Sequence, residues 1–480
     1  MKQKGITAAL LSAVLFGQSA AYAYDDLPQI GTAALSTLSL QKEETLGKLY
    51  TFQLRSQAPL LNDPLITEYI ESLGHRLVAH ARGVNYPFDF MVIKSDELNA
   101  FAYFGGHVAV FSDIILEADN EDELASVMAH EIAHVTQRHL ARKMEHQQQN
   151  LPLTIAGIAA SILIGLANPE AGMAGLQASV AASQQFSINY TRQNEQEADR
   201  VGFQTLYAAG FRPIAMANFF EKLVEKYRFV RKPPAFLLDH PLSENRVAEA
   251  RNRALQYPQV HHQSSLDFYL TQMLIRAQYG DNPKRVQELL EHQQQEGKVH
   301  SEQVLQYGLG LTALQLNNNQ KALDIANQLL KKHPHNLYYQ VLKSDSLVAL
   351  NKAAAAAKFL QPSADIMPNS PIVTLNQAHA WIEAKEGQKA IDLLEPYLYV
   401  HAGDPLAIDL MIQAQNLVKN TAAREYWQAE KMAYYGAFDR AINHFNKAYS
   451  LYGNNNLEQR RIEGRIAQLQ QQKSRFEALR

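Results

Sequence analysis

The chain has 480 residues, 46% apolar and 19% charged, with 45 basic against 48 acidic side chains and no cysteine. That length exceeds one ordinary core, so two domains are expected, and the composition favours neither a wholly disordered chain nor a polytopic membrane protein. The slightly acidic balance argues against nucleic acid as a partner, and the lack of cysteine removes any disulfide framework or thiol for lipid attachment.

At the N-terminus, Lys2 and Lys4 precede the apolar run Ile6 to Phe16, and Ala21-Tyr22-Ala23 forms a small-x-small cleavage site. This is the pattern of a secretory signal peptide over residues 1–23, cut after Ala23, because the run falls short of the about 20 residues that span a bilayer. The alternative is a short anchoring helix. From Leu40 to His80 the pattern is helical. Phe88 to Ile93 reads as strand-like and apolar, and is followed by Asn99 to Phe104, Gly105-Gly106 and a second strand-like run, His107 to Phe111, which predicts a small antiparallel sheet.

Asp119-Asn120 offers an N-cap, and Glu121, Asp122 and Glu123 charge the first turn of a helix predicted to run to about Lys143. Leu151 to Ala167 is almost wholly apolar but carries Pro152, Thr154 and Ser161, which favours a buried or lid-like helix over a membrane span and leaves peripheral membrane contact open. A further helix is predicted from about Gln185 to Ala209, ended by Gly210 and Pro213. Tyr257 to Ser265 reads as an interdomain linker whose His261 and His262 are solvated.

From Leu266 onward the pattern is helical and periodic. Pro334 and Pro368 are 34 residues apart, as are Pro371 and Pro405, and Ala322, Ala356 and Ala390 repeat at the same interval. Gly310, Ser344 and Ala378 recur twelve positions earlier, where paired helices must approach closely. This is tetratricopeptide-repeat spacing, which predicts a solenoid over 263–480 that binds peptide or protein in its concave surface, or else serves as a docking spacer. Ala441, Phe445 and Ala448 fall out of phase, which predicts an irregular connection near 405–425. Because a solenoid stacks on itself, few contacts with the preceding 24–262 domain are expected.

The chemistry centres on His130, Glu131 and His134. Histidines four apart on a helix differ by about 40° of rotation, so both present imidazoles to one metal ion, with Glu131 beside them to act as general base. The bland alternative is a pair of core histidines in register. It weakens because Glu195 and Asp199, four apart on the later helix, supply a third ligand and a group to orient a ligand or substrate. Glu197 lies about 200° round from Glu195, exposed or paired with an arginine, and His139 falls on the face opposite His130. Leu140 stands where a metzincin has its third histidine, which excludes that class.

The combination His130-Glu131-Ile132-Ala133-His134, Glu195-Gln196-Glu197-Ala198-Asp199, and His240-Pro241 with Arg246, preceded by Asn99-Ala100-Phe101 and Gly105-Gly106, resembles the peptidase family of the CAAX-processing and HtpX proteases. The resemblance implies a mostly α zincin-type α+β metallopeptidase domain followed by the all-α repeats. It implies one zinc ion per chain on His130, His134 and Glu195, with Glu131 as base, Asp199 as a suggested proton donor, and His240 near the active site. A histidine there would either stabilise an oxyanion or occupy the open zinc position at rest and hold the protease off; the second role is favoured. The family further implies a periplasmic enzyme of outer-membrane protein biogenesis, degrading misassembled barrels, with its repeats contacting the β-barrel assembly machinery. Unfolded proteins would be bound as strands along an exposed edge, His107 to Phe111. The competing function is a chaperone or adaptor whose protease is normally silent.

Overall fold

The computed structural model describes residues 38–146, 192–231, 233–280, 282–296, 301–453 and 455–479. The expected signal peptide and the Leu151 to Ala167 segment lie outside the described residues. Among those described, no helix is long and apolar enough to cross a membrane.

Helix α1 (Leu40–Gln57) starts at Ser39, whose side chain accepts from the Lys42 N–H, and α2 (Pro64–Val78) starts at an Asp63 cap followed by Pro64. Between them the chain runs extended along β1 (Asp89–Ile93), where the Leu61 N–H donates to Val92 O at 2.8 Å. Strands β2 (Ala100–Tyr103) and β3 (His107–Phe111) form a hairpin, turning on Gly105 and Gly106 at φ 80° and 89°. Gly106 is obligatory on packing grounds as well, since a Cβ there would stand 2.3 Å from Pro87 O.

The sheet order is β1-β3-β2, with β2 antiparallel to β3 and β1 parallel to it. The sheet is therefore mixed rather than wholly antiparallel. The apolar strand β3 takes the centre, where both neighbours cover it, and β1 adds to its far side. For the same reason His107 to Phe111 is not an exposed edge, and the free edges belong to β1 and β2.

After α3 (Ser112–Glu117) comes α4 (Glu121–Thr136), buried at every position except Val135. Its acidic first turn is consumed by partners: Glu121 accepts from Tyr69 Oη, Ser265 N–H and Ser265 Oγ, Asp122 from Arg212, and Glu123 from Lys222. The helix does not run on to Lys143. It breaks at Arg138, whose φ is 53°, and α5 (His139–His146) leaves in a new direction. Helices α6 (Arg192–Ala208) and α7 (Ile214–Tyr227) pack on α4, and after the short α8 (Ala235–Asp239), α9 (Glu244–Ala254) packs on α7 and α6.

The linker reading needs correction at one histidine. His261 is exposed, but the His262 ring packs on Phe211 at 4.7 Å with Nδ1 3.0 Å from Asp122 Oδ1, because the buried acids of α4 draw partners to them.

Repeat helices follow as α10 (Leu266–Leu274), α11 (Pro283–Gln295), α12 (Glu302–Gln315), α13 (Asn319–Lys332), α14 (Leu337–Ala349), α15 (Ala353–Ile366), α16 (Pro371–Glu383), α17 (Gly387–Val400), α18 (Pro405–Leu417), α19 (Thr421–Tyr434), α20 (Phe438–Tyr452) and α21 (Asn456–Glu477). Left-handed residues end the first helix of successive pairs at Asn317, Asn351, Lys385 and Lys419, each 34 after the last. The connection near 405–425 is thus regular. What shifts is the side-chain pattern, half a period on, where Gly436 is again left-handed and α20 packs on α19.

The two domains also share far more than expected. One continuous core joins Ile66, Ile70, Met128 and Phe203 to Phe268, Tyr307, Leu342 and Ile372. Helix α2 lies against α10 and α16, so the solenoid's inner side is filled by the peptidase itself. At the far end Phe52 of α1 packs edge-on against Phe438 and Phe476, at 5.5 and 5.9 Å. A repeat array must cap its apolar ends, and this one does so partly on its own catalytic domain.

Candidate metal centre

Helix α6 crosses α4 at Gly202, where a Cβ would meet Ala129 O and the His130 backbone at 3.3 Å. That close approach, two turns past Glu195, brings the Glu195 carboxylate over the histidine face of α4. His240 arrives from the end of α8, its backbone N–H donating to Phe236 O at 2.8 Å and its ring resting on Phe236. All four side chains are buried, with exposures of 1–2%.

Their ligand atoms form a compact cage. His130 Nε2 is 3.0 Å from His134 Nε2 and 3.3 Å from His240 Nδ1; Glu195 oxygens lie 3.2 Å from His240 Nδ1, 3.4 Å from His134 Nε2 and 3.5 Å from His130 Nε2. Four ligands about 2.0–2.1 Å from a zinc ion at tetrahedral angles stand about 3.3–3.4 Å apart, so the donor set fits that ion in size and kind. Three imidazole nitrogens and a carboxylate converging in a buried space form a donor set for a cation, which lets each nitrogen direct its lone pair inward without facing another. Among the described residues no other cluster has this property.

Groups behind the cage fix the imidazoles. His130 Nδ1 lies 2.9 Å from Asp199 Oδ1. Arg246, itself buried, donates from Nε and Nη2 to the two Asp199 oxygens at 2.9 and 2.8 Å and from Nη1 to Glu195 Oε2 at 2.8 Å. Behind His134 stands a chain that the sequence pattern did not reveal. His134 Nδ1 is 2.8 Å from His139 Nδ1, and His139 Nε2 is 3.2 Å from Glu197 Oε2, which also accepts from Arg142 at 2.8 Å. The helical arithmetic that put His139 on the opposite face fails because α4 stops at Thr136. Glu197 does pair with an arginine, as expected, but it also holds His139.

Electrostatics follow the contacts. Burial pulls the His130 imidazole down, yet Asp199 and Glu195 outweigh it and push it up to about 10. His134 is held well below the usual histidine range by burial, against the pull of Glu195. Burial raises Glu131, with His240 and His130 opposing. Its carboxylate is wholly buried, and its closest ring contact is His240 Nε2 at 3.3 Å. Asp199 is depressed despite burial, because Arg246 and His130 face it.

Residues 64–254 match Peptidase family M48. Over 477 residues the chain is 43% identical to the beta-barrel assembly-enhancing protease of Escherichia coli (strain K12), which covers 99% of this chain and 98% of that one. The chain belongs to this M48 peptidase family. The namesake protease of Yersinia pestis is 42% identical over 95% of this chain and 93% of its own length. The metalloprotease LoiP of Escherichia coli (strain K12) is 28% identical over 45% of this chain and 82% of that one. The protein is accordingly a metalloendopeptidase, and the metal its family requires has a matching donor set in the cage on α4, α6 and α8.

Proposed function

We propose that the protein is a zinc-dependent periplasmic endopeptidase that degrades unfolded or misassembled outer-membrane proteins, and whose repeats carry an assembly-enhancing role at the β-barrel assembly machinery. The observation that supports the zinc reading best is the cage of His130, His134, Glu195 and His240 at tetrahedral spacing, with a buried carboxylate, Glu131, alongside. The periplasmic and barrel-assembly parts rest on the 43% identity to proteases named for that assembly and on the leader-like residues 1–23.

Zinc in this cage supplies Lewis acidity to peptide hydrolysis. Glu131 takes the proton of the attacking water on a carboxylate oxygen and returns it to the leaving amine; a carboxyl raised by burial suits both steps. Asp199 has both oxygens committed to Arg246 and one against His130, so it serves as a positioning residue rather than a proton donor. Substrate would add as a strand to the free edge of β2, whose Ala102 backbone lies beside Glu131.

His240 closes the site. With Nδ1 among the ligand atoms and Nε2 against Glu131, it would hold the fourth position on a bound zinc and exclude a water there. That placement supports a resting enzyme in which His240 would have to swing away for catalysis. Two variants test the reading by casein cleavage and zinc content. Glu131→Gln is expected to abolish cleavage with zinc retained, and His240→Ala to raise it. Full cleavage by Glu131→Gln would sink the mechanism, and lowered cleavage by His240→Ala would make His240 an oxyanion stabiliser instead.

A further inference from the structure

A strand edge away from the metal centre is also open. In β1, Asp89, Met91 and Ile93 turn their peptide groups towards β3; the Asp89 N–H, for instance, donates to Gly106 O at 3.0 Å. Phe90 and Val92 therefore turn theirs outward. Val92 O accepts from the Leu61 N–H at 2.8 Å and the Lys94 N–H donates to Pro59 O at 2.8 Å, after which the extended segment departs into α2. Among the described residues no backbone group pairs with the Phe90 N–H, the Phe90 C=O or the Val92 N–H. Phe90 and Val92 are only 3% and 4% exposed, so these groups are reached from the cavity beside them, where an unpaired edge is a template for another strand.

This edge borders a cavity of about 360 Å³ between the two domains, walled on the opposite side by Tyr397, His401 and Tyr434 of the repeats. The Tyr397 and His401 rings stack at 4.5 Å, and Arg55 lies over the Tyr434 ring at 4.2 Å, so the far wall is flat and aromatic. Glu68 and Glu71 of α2 line the cavity, together with Asp89 and Asp404. Asp89 meets His107, and Asp404 accepts from Tyr397 Oη and caps α18, but Glu68 and Glu71 have no ion-pair partner among the described residues. The Glu71 carboxyl is raised, first by burial and then by Asp89, Glu68 and Asp404, so these acids feel one another; Arg55, the cation lining the same cavity, lies over Tyr434 and makes no ion pair with them among the described residues. An occupant carrying positive charge would relieve that repulsion.

We propose that the free edge of β1 and the cavity beside it form a second polypeptide site, which takes an extended segment of another protein by strand addition and reads a lysine or arginine in it through Glu68 and Glu71. The site is distinct from the β2 edge, since β3 separates the two strands. Because both domains line it, a bound segment would join peptidase and repeats, and the short run of open peptide groups suits a few residues rather than a long strand.

The test uses the full chain with Glu131→Gln to prevent cleavage, and a fluorescein-labelled decapeptide of alternating valine and threonine with one central lysine. Anisotropy should show binding that weakens about tenfold or more when Glu68→Lys and Glu71→Lys are combined, and equally when the peptide lysine becomes glutamate. Neither residue belongs to the buried face of α2, so both substitutions leave that face intact. Since the natural chain has no cysteine, Glu71→Cys provides a single trapping site for a peptide carrying cysteine two residues from its lysine. With dissolved oxygen as the oxidant of the two thiols, a mixed disulfide at Glu71→Cys is expected. Affinity unchanged within about twofold by the charge reversal, or an adduct formed with Phe101→Cys on β2 but not with Glu71→Cys, would overturn the proposal. A disulfide-linked dimer in place of the adduct would make a second copy of the chain the occupant and overturn it as well.

Discussion

Replacing His139 with alanine tests the support behind the metal cage. When His134 ligates through Nε2, its Nδ1 carries the proton and points at His139 Nδ1, 2.8 Å away. Both rings are buried to at least 98%, so removing the acceptor strands an N–H at a cost of about 1–3 kcal/mol. Without metal, the His134 ring is free to change tautomer or turn, which recovers part of that cost. With metal bound it is held, so the penalty falls on the loaded form. The expected result is zinc affinity weakened about 10–100-fold, equivalent to about 1.4–2.8 kcal/mol. His139→Asn places a carboxamide oxygen near the lost nitrogen and should recover most of the loss. Competition against a chromogenic chelator measures all three proteins. Zinc binding by His139→Ala within about threefold of the parent would refute the relay and return His139 to a packing role.

Glu195→Gln is expected to lose zinc, whereas Glu197→Gln should retain it, because a glutamine oxygen still accepts from His139; metal analysis separates the two. Glu197 also bears on acid stability. His139 and Arg142 lower its pKa from 4.5 to about 2, so its contribution is present above about 4.5 and lost as pH falls towards 2. Acid unfolding of Glu197→Gln should accordingly differ from the parent above that window and converge with it at the low end. Deletion from Leu266 onward should not leave a foldable peptidase, contrary to a free-standing solenoid. It strips Phe268, Leu270, Leu274, Tyr307, Leu342 and Ile372 from the shared core, and at about 1.5–3 kcal/mol each these match a whole domain's net stability of about 5–15 kcal/mol. A soluble, cooperatively unfolding product spanning 24–262 would contradict this.

Much of the site was legible from spacing alone. His130 and His134, four apart on one helix, needed only the helical period to share a face, and Glu195 with Asp199 obeyed the same rule on α6. The 34-residue interval likewise announced the repeats, because it records a local helix-pair unit that recurs along the chain. The strand-like runs and the Gly105-Gly106 turn were local too. What local periodicity could not carry was any relation between distant segments. His139 joined His134 only because a left-handed Arg138 ended the helix, and that break is held by contacts from Arg138 to Glu43 and Leu38, about a hundred residues earlier. The parallel pairing of β1, the seating of α2 inside the repeats and the closure of α1 on Phe438 and Phe476 were decided by which apolar faces could be buried together. Periodicity shows that a face is apolar, while its partner is chosen by the packing of the whole chain.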